Sequence, residues 1–235
     1  MAANPTTLEK YLDGLPAWAR ELSEKYYSRS FAMFVLHGNV RDLVPLRKEE
    51  STQFVPLDDF LSGALFGQRD LVLHYDRGGL SFGSESQTDF RRALEGYDSF
   101  HGTTYSKGGV PRNPDAVLNL LDNYLRLRIA DGKKIGLVID FAETIAPAGD
   151  ISSMSADDRN ALVILKRWAR NSAFLNADVT ICLVSENQIE LNQTIVQNPG
   201  VTAIAIPLPD YAERLEFIRS QLKMQSLPPG SEVTG

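Results

Sequence analysis

The sequence predicts an α/β fold in three layers, in which helices cover both faces of a mostly parallel sheet of about five strands. Short apolar runs with strand-forming residues alternate along the chain with segments of helical periodicity, and this alternation favours parallel strands joined by crossover helices. Its 235 residues suit one large domain or one domain with appendages, and a hydrophobic content of 43% is enough to fill a sizeable core.

The first predicted element is an N-terminal helix, which Gly14 and Pro16 divide in two. Its stripe of apolar residues favours a helix packed on its own domain, with a partner-binding helix as the alternative. The run FAMFVLHGNV then predicts a strand that ends in a turn, so residues 1–45 are predicted to be a helical and strand extension. The stripe consists of Leu8, Leu12, Leu15, Ala19, Leu22 and Tyr26.

Residues 46–210 are predicted to form the α/β core. In its first half, the long polar segment YDSFHGTTYSKGGVPRNP is predicted to be a loop with at most one short edge strand. The helix that follows is capped by Asn113, with Pro114 in its first turn and Gly132 just past its end. The elements before that loop are, in order, a helix near LDDFLSGALF, a buried strand DLVLHY, a loop DRGGLSFGSES and a helix TDFRRALEGY.

The second half of the core contains three further predicted strands. A helix capped by Ser155 connects the first two, and a short helix near IELNQTIV connects the last two. Residues 211–235 are predicted to be the start of a further helix and a flexible tail. The three strands are the runs IGLVID, VTICLV and TAIAIP.

Charge and composition argue against several classes of partner. With a net charge of −6 and a pI of about 5.2, the surface is not built to neutralise phosphates or anionic lipid, so nucleic acid is not an expected partner. The single cysteine, Cys182, lies in an apolar run and is predicted to be a buried thiol. Because the sequence has neither a membrane-spanning apolar stretch nor the layout of a signal peptide, we expect a cytoplasmic protein without membrane insertion.

The segment IGLVIDFAETIAPAGD, residues 135–150, carries the strongest motif. It resembles the Walker B strand and the following turn of the AAA+ ATPase family. The resemblance implies that Asp140 holds Mg²⁺, but Phe141 stands where the family has the glutamate that activates water. A phenyl ring neither orients water nor accepts its proton, and Glu143, two residues later, is a weaker substitute because neighbouring residues point to different sides.

A second match to the AAA+ family begins at the strand VTICLV. Asn187 occupies the family's sensor-1 position, and Pro207 to Asp210, with Arg214, resemble the entry to the helical lid, which makes 211–235 the start of that lid. Where the family carries arginines that reach a neighbour's γ-phosphate, this chain has Asn198, Pro199 and Gly200. Neutral residues there do not stabilise transition-state charge.

The resemblance also requires a phosphate-binding loop, and Gly78 to Glu85 align with G-x-x-x-x-G-K-[ST]. Gly78 and Gly83 match, but Ser84 replaces the lysine and Glu85 replaces the hydroxyl residue. We therefore interpret Gly78, Gly83, Ser84 and Asp140 as a vestigial nucleotide site, with Asp140 as its candidate metal ligand. A functional ATP site and an unrelated turn are the alternatives.

Residues for three other kinds of site occur in the sequence. Ser81 lies in a G-x-S-x-G pattern typical of α/β-hydrolases, but only His101 follows it, and no acid precedes that histidine in the required order. Three scattered histidines and one cysteine do not make a metal site. The segment from His37 to Asp42 ends a strand, where open α/β sheets bind ligands, and it predicts either a turn held by Asn39 or a contact with a base or partner.

The sequence thus predicts a degenerate AAA+ module that acts as an assembly, docking or regulatory domain of a larger ATP-driven machine. The alternative is a divergent domain that binds or hydrolyses ATP through Asp140, Asn187 and Glu143. ATP and Mg²⁺ are cofactors only by resemblance. The same resemblance implies a homo-oligomeric ring in the full-length protein, a protein substrate or adaptor as partner, and an intact ATPase module C-terminal to this one.

Overall fold

The computed structural model describes residues 11–48 and 51–224, and a six-stranded sheet runs through its centre. The strands lie in the order β5-β4-β6-β7-β1-β8. All neighbours in this sheet are parallel except β4 and β5, and a separate antiparallel hairpin is formed by β2 and β3. The strands are β1 (Met33–Gly38), β2 (Val44–Lys48), β3 (Ser51–Val55), β4 (Leu71–Asp76), β5 (Gly79–Phe82), β6 (Ile135–Ile139), β7 (Val179–Ser185) and β8 (Val201–Ile206).

Helices connect the strands and cover the sheet. Two of the predicted caps are confirmed: the Asn113 side chain accepts a hydrogen bond from the Asp115 N–H, and the Ser155 hydroxyl accepts one from the Asp158 N–H. The helices are α1 (Ala17–Tyr27), α2 (Leu57–Phe60, continued as a π-turn over Leu61–Leu65), α3 (Ser84–His101), α4 (Tyr105–Gly108), α5 (Pro114–Ala130), α6 (Ala156–Arg170), α7 (Ser172–Asn176), α8 (Gln193–Val196) and α9 (Tyr211–Met224).

Each face of the sheet carries its own core, which confirms the predicted three-layer α/β/α architecture. The larger core joins α3, α5 and α6 to one face, with Leu73, Leu137 and Ile181 among the strand residues it buries. The smaller core joins α1 and α2 to the other face through Phe34 and Cys182. Because successive strand residues point to opposite faces, strands that are apolar throughout supply both cores.

The strand β1 lies inside the sheet, between β7 and β8, although the sequence places it in the 1–45 extension. It pairs with β7 from Met33 opposite Ile181 and with β8 from Met33 opposite Val201. Parallel pairing brings the carboxyl ends of β1, β6 and β7 to one edge of the sheet, and this edge is where open α/β folds place their ligand sites.

Three elements differ from the predicted ones. The hairpin of β2 and β3 and the short helix α4 were not predicted, and the segment treated as the loop DRGGLSFGSES forms β5. A tight turn explains β5: the Asp76 carboxylate accepts hydrogen bonds from the N–H groups of Gly78 and Gly79, and Gly79 has a φ of 147°. The turn sends the chain back antiparallel to β4 at the edge of the sheet.

In the part of the chain that the structure describes, no helix is long and apolar enough to cross a membrane.

Candidate functional site

Arg41 joins three loops at the carboxyl edge of the sheet. Its Nη1 donates a hydrogen bond of 2.7 Å to Oδ2 of Asp140, which follows β6, and its Nε donates one of 3.1 Å to Oε1 of Glu186, which follows β7. The side chains of Arg41 and Asp140 are 37% and 18% exposed, so the carboxylate is better shielded from water than the guanidinium that covers it. The Arg41 guanidinium is therefore hydrogen-bonded to two carboxylates at once.

Phe141 completes this cluster with its ring and with an unusual backbone. The Arg41 guanidinium carbon lies 3.9 Å from the centroid of the Phe141 ring, which is cation–π geometry. Phe141 has φ 48° and ψ 44°, a left-handed conformation that is costly for a residue with a side chain. The turn is held by the Thr144 N–H and hydroxyl, which both donate to the Phe141 carbonyl at 2.8 Å.

The electrostatics of the edge are dominated by these pairs. Burial alone would lower the pKa of Arg41, but hydrogen bonds to Asp140 and Glu186 and their negative charges raise it, so the side chain stays cationic. Asp58, near the start of α2, interacts electrostatically with both Asp140 and Arg41. Burial raises the pKa of its carboxyl, as does the charge of Asp140, while His74 and Arg41 act in the opposite direction.

Two other predicted site residues, Asn187 and Glu143, also follow strands at this edge of the sheet. The Asn187 side chain accepts a hydrogen bond of 3.3 Å from the Ile189 N–H and so caps a 3₁₀ turn. Glu143 is half-buried, and its Oε2 is buried without a hydrogen-bond partner among the described residues. Neither side chain is hydrogen-bonded to Asp140 in the described part of the chain, so the role of both stays a prediction.

A pocket of about 320 Å³ opens beside the turn after β1. It lies between the start of α1, the end of β8, the hairpin and α9. Its walls are mainly apolar, and three aromatic rings contribute to them, with Asp42, Glu213 and Arg214 as the charged residues at its margin. The rings belong to Trp18, Phe54 and Phe217.

Comparison with known proteins assigns the family. The model of the family described as "AAA+ chaperone, N-terminal Rossmann-like domain" matches residues 4–207. The chain belongs to this AAA+ family. A comparison with curated proteins found no match. Among solved structures, a chain of the E. coli MS115-1 HORMA:CdnC:Trip13 complex has a TM-score of 0.51 at 17% identity, and the likeness covers 95% of this chain and 68% of that chain. The AAA+ resemblance and the fold class are thereby confirmed.

In this AAA+ domain, the predicted phosphate loop requires a correction. Gly78 lies in the turn at the carboxyl end of β4, but Gly83 lies at the other end, where its N–H donates to the Val72 carbonyl at 3.3 Å. Ser84 begins α3 just beyond. Because β5 separates the two glycines, Gly83 and Ser84 do not lie with Asp140, and the segment is a hairpin rather than one phosphate-binding loop.

The loop next to Asp140 is the one after β1, within the segment from His37 to Asp42. Gly38 has a φ of 93°, and a Cβ there would lie 2.6 Å from the Ile206 carbonyl oxygen, so this turn requires glycine. The Gly-Asn turn signal marked this place in the sequence, but nothing local marked Arg41. Its two partners are 99 and 145 residues away along the chain.

The remaining candidates lie away from this cluster. Ser81 is within β5, opposite His74 in the pairing with β4, rather than on a turn that follows a strand. His74 instead has its Nε2 2.9 Å from the Ser62 hydroxyl. Asn198 is buried and Gly200 is half-buried, and the Asn198 side chain accepts a hydrogen bond from the Gly200 N–H at 3.0 Å. They contact the domain itself rather than project from it.

These residues do not fit magnesium-bound ATP as the AAA+ family holds it. The Asp140 carboxylate is already bonded to a guanidinium, and the chain after β1 continues into a hairpin instead of a helix whose N-terminus faces the phosphates. Within residues 11–48 and 51–224, no group of three or more His, Cys, Asp or Glu side chains is placed to hold a metal ion.

Proposed function

We propose that this AAA+ domain does not hydrolyse ATP and acts as an assembly or docking domain of a larger AAA+ machine. The observation that carries the proposal is the position of Arg41 between Asp140 and Glu186. A magnesium ion and this guanidinium would compete for the same carboxylate oxygen, and the guanidinium is tethered to the domain while it also stacks on Phe141.

The neighbouring residues support the same proposal. Phe141 offers no carboxylate to activate water, and the Asn198 to Gly200 turn offers no cation to a neighbouring subunit's nucleotide. We propose that the energy-consuming step belongs to an intact AAA+ module C-terminal to this one. The full-length protein would then assemble as a homo-oligomeric ring in the cytoplasm.

A protein is the proposed partner of the domain. The structurally similar chain comes from a complex that contains HORMA and CdnC together with Trip13, and that assembly supports a protein substrate or adaptor here. The acidic net charge of −6 also disfavours nucleic acid as the partner.

A second candidate function is nucleotide binding without hydrolysis. The observation that favours it is the pocket of about 320 Å³ beside the turn after β1, whose aromatic walls suit the flat face of a base. In this case the base and sugar would supply the affinity, and magnesium would contribute little. Asp140 would remain paired with Arg41.

Calorimetry and turnover assays on the chain distinguish these functions. We expect no ATP turnover from the wild-type chain or from Phe141→Glu, because restoring one carboxylate does not free Asp140. Binding of ADP that is independent of Mg²⁺ and lost in Phe217→Ala would favour the second candidate. Tight Mg²⁺-dependent ATP binding, with turnover abolished by Asp140→Asn, would contradict both.

A further inference from the structure

A second groove lies between α3 and α5, on the face of the sheet that carries the larger core. Its volume is about 370 Å³. Four buried side chains form its floor, and the Phe90 and Tyr124 rings meet edge to face with centroids 4.9 Å apart. The floor is thus buried and mainly apolar. Its members are Phe90, Leu94, Leu120 and Tyr124.

The rim of the groove exposes large apolar side chains. Phe100, near the end of α3, is 86% exposed, and Leu127, on α5, is 49% exposed. An exposed phenyl ring beside an open apolar pocket leaves a contiguous surface that gains free energy when it is covered.

The charges that line the groove have one sign. They belong to Arg92 and Arg128, and among the residues that the structure describes no acidic side chain lines the groove. Arg92 makes no ion pair with any described residue, and Arg128, although paired with Asp89 and Asp131, has a buried Nε without a hydrogen-bond partner. In a chain of net charge −6, a cationic apolar groove is a local departure from the rest of the surface.

Gly96 gives an independent indication. It lies within α3, where glycine weakens a helix relative to alanine, and it lines the groove. A Cβ added at Gly96 would have nothing within 4 Å, so no contact inside the domain requires glycine here. A missing side chain at a groove wall lets the backbone of another element approach closely.

We propose that the groove between α3 and α5 binds an acidic amphipathic helix of a protein partner. An apolar side chain of that helix enters the pocket against Phe100 and Leu127, and a carboxylate on its flank pairs with Arg92. A helix suits a groove that runs between two helices, since its apolar face contacts both walls at once. Gly96 sets the point of closest approach.

The inference deepens the proposed docking role by naming the surface and the chemistry of the partner. Its test does not involve nucleotide, so it fails or succeeds separately from the proposal on ATP hydrolysis. A groove that binds no helix would leave the absence of turnover unaffected, whereas ATP turnover would leave peptide binding unaffected.

The probes are three synthetic peptides of about 18 residues, which is about five helical turns. One carries leucines at helical spacing with glutamates on the polar face, the second has lysines in place of the glutamates, and the third is the acidic peptide interrupted by proline. Fluorescence anisotropy measures each with the wild-type chain. We expect the acidic helix to bind at least about tenfold more tightly than either of the others, and more weakly as salt is raised.

Four variants locate the binding. Phe100→Ala and Arg92→Glu are each expected to weaken the acidic peptide by about tenfold, and Arg92→Glu to improve binding of the basic one. Gly96→Leu should block the groove. Gly96→Ala should bind the acidic peptide more tightly than Gly96→Leu does, and it should be at least as stable as the wild type. Ile189→Ala is the matched control, because Ile189 is 70% exposed but lies in the loop after β7.

Phe100 and Arg92 are exposed, so their replacement tests binding without compromising the fold. Equal binding of the acidic and basic peptides, wild-type affinity in Phe100→Ala, or no binding of the acidic peptide to the wild-type chain would each overturn the proposal.

Discussion

The Trp168 indole N–H donates a hydrogen bond of 2.7 Å to Oδ1 of Asp122, and this contact fixes α6 against α5. The other oxygen of Asp122 accepts from Arg167 at 2.7 Å and from Arg126 at 3.0 Å. Asp122 as a whole is 8% exposed, so its carboxylate is hydrogen-bonded by these donors in place of water.

Replacement of Asp122 by alanine is expected to lower the free energy of unfolding by about 2 kcal/mol, mainly because it leaves the buried Trp168 N–H without its acceptor. The Arg126 and Arg167 side chains, 40% and 48% exposed, turn to water instead. Urea denaturation followed by tryptophan fluorescence measures the loss. Asn123→Ala, on the exposed side of the same helix, should change stability by less than about 0.5 kcal/mol. Equal losses from the two variants would show that the Asp122 contacts contribute little.

A second prediction concerns Gly136, the second residue of β6. A Cβ at this position would lie 2.6 Å from ring atoms of Phe66, which is itself 1% exposed and packed in the smaller core. Gly136→Ala should therefore cost about 1–3 kcal/mol of stability through overpacking. Thermal unfolding checks this, and Phe66→Leu added to Gly136→Ala should recover part of the loss. Gly63→Ala, where a Cβ would meet nothing within 4 Å, is the control.

The left-handed backbone of Phe141 gives a third prediction, which compares two replacements of the same residue. Phe141→Gly should be more stable than Phe141→Ala by about 1 kcal/mol, because only alanine retains the steric cost of a positive φ. At Val163, an exposed position in α6, the order should reverse, since glycine is the poorer residue within a helix. Chemical denaturation of the four variants decides it, and the same order at both sites would contradict the assigned backbone.

A fourth prediction follows from the buried thiol of Cys182. Burial raises its pKa from 9.0 to about 12, so the folded domain keeps a proton that the unfolded chain releases above pH 9. The stabilisation is complete below pH 9 and is lost as the pH rises toward 12. Between about pH 8 and about pH 10.5, urea unfolding should show a smaller loss of stability for Cys182→Ala than for wild type.

Tyr75 sharpens the design of that experiment. Burial raises the pKa of its hydroxyl to about 12 as well, so alkaline pH destabilises the domain in both proteins. Only the difference between the wild type and Cys182→Ala reports on the thiol. Parallel losses in the two proteins would mean that Cys182 does not titrate on unfolding.

The sequence was sufficient for the strands of the parallel sheet and for the caps of its long helices, because these depend on local periodicity and on single residues such as Asn113 and Ser155. It was insufficient for the phosphate loop. A run such as Asp76 to Gly79 fits both a tight hairpin turn and a glycine-rich loop, and only the pairing of β5 with β4 distinguishes them.

The candidate site was predicted in part for a related reason. Asp140 and Phe141 follow an apolar strand that resembles a known motif, so their position was readable. Arg41 was not, since its contacts with Asp140 and Glu186 arise only when parallel pairing aligns β1 with strands far along the chain. Long-range contacts of this kind leave no local pattern.

The central place of β1 also constrains how the polypeptide matures. Met33–Gly38 is synthesised well before both of its neighbours, Val179–Ser185 and Val201–Ile206. Until those two strands are synthesised, the apolar residues of β1 have no neighbouring strands to pair with. The centre of the sheet therefore forms late, and its formation carries a large cost in loop-closure entropy. For the same reason, the contacts of Arg41 with Asp140 and Glu186 are among the last to form.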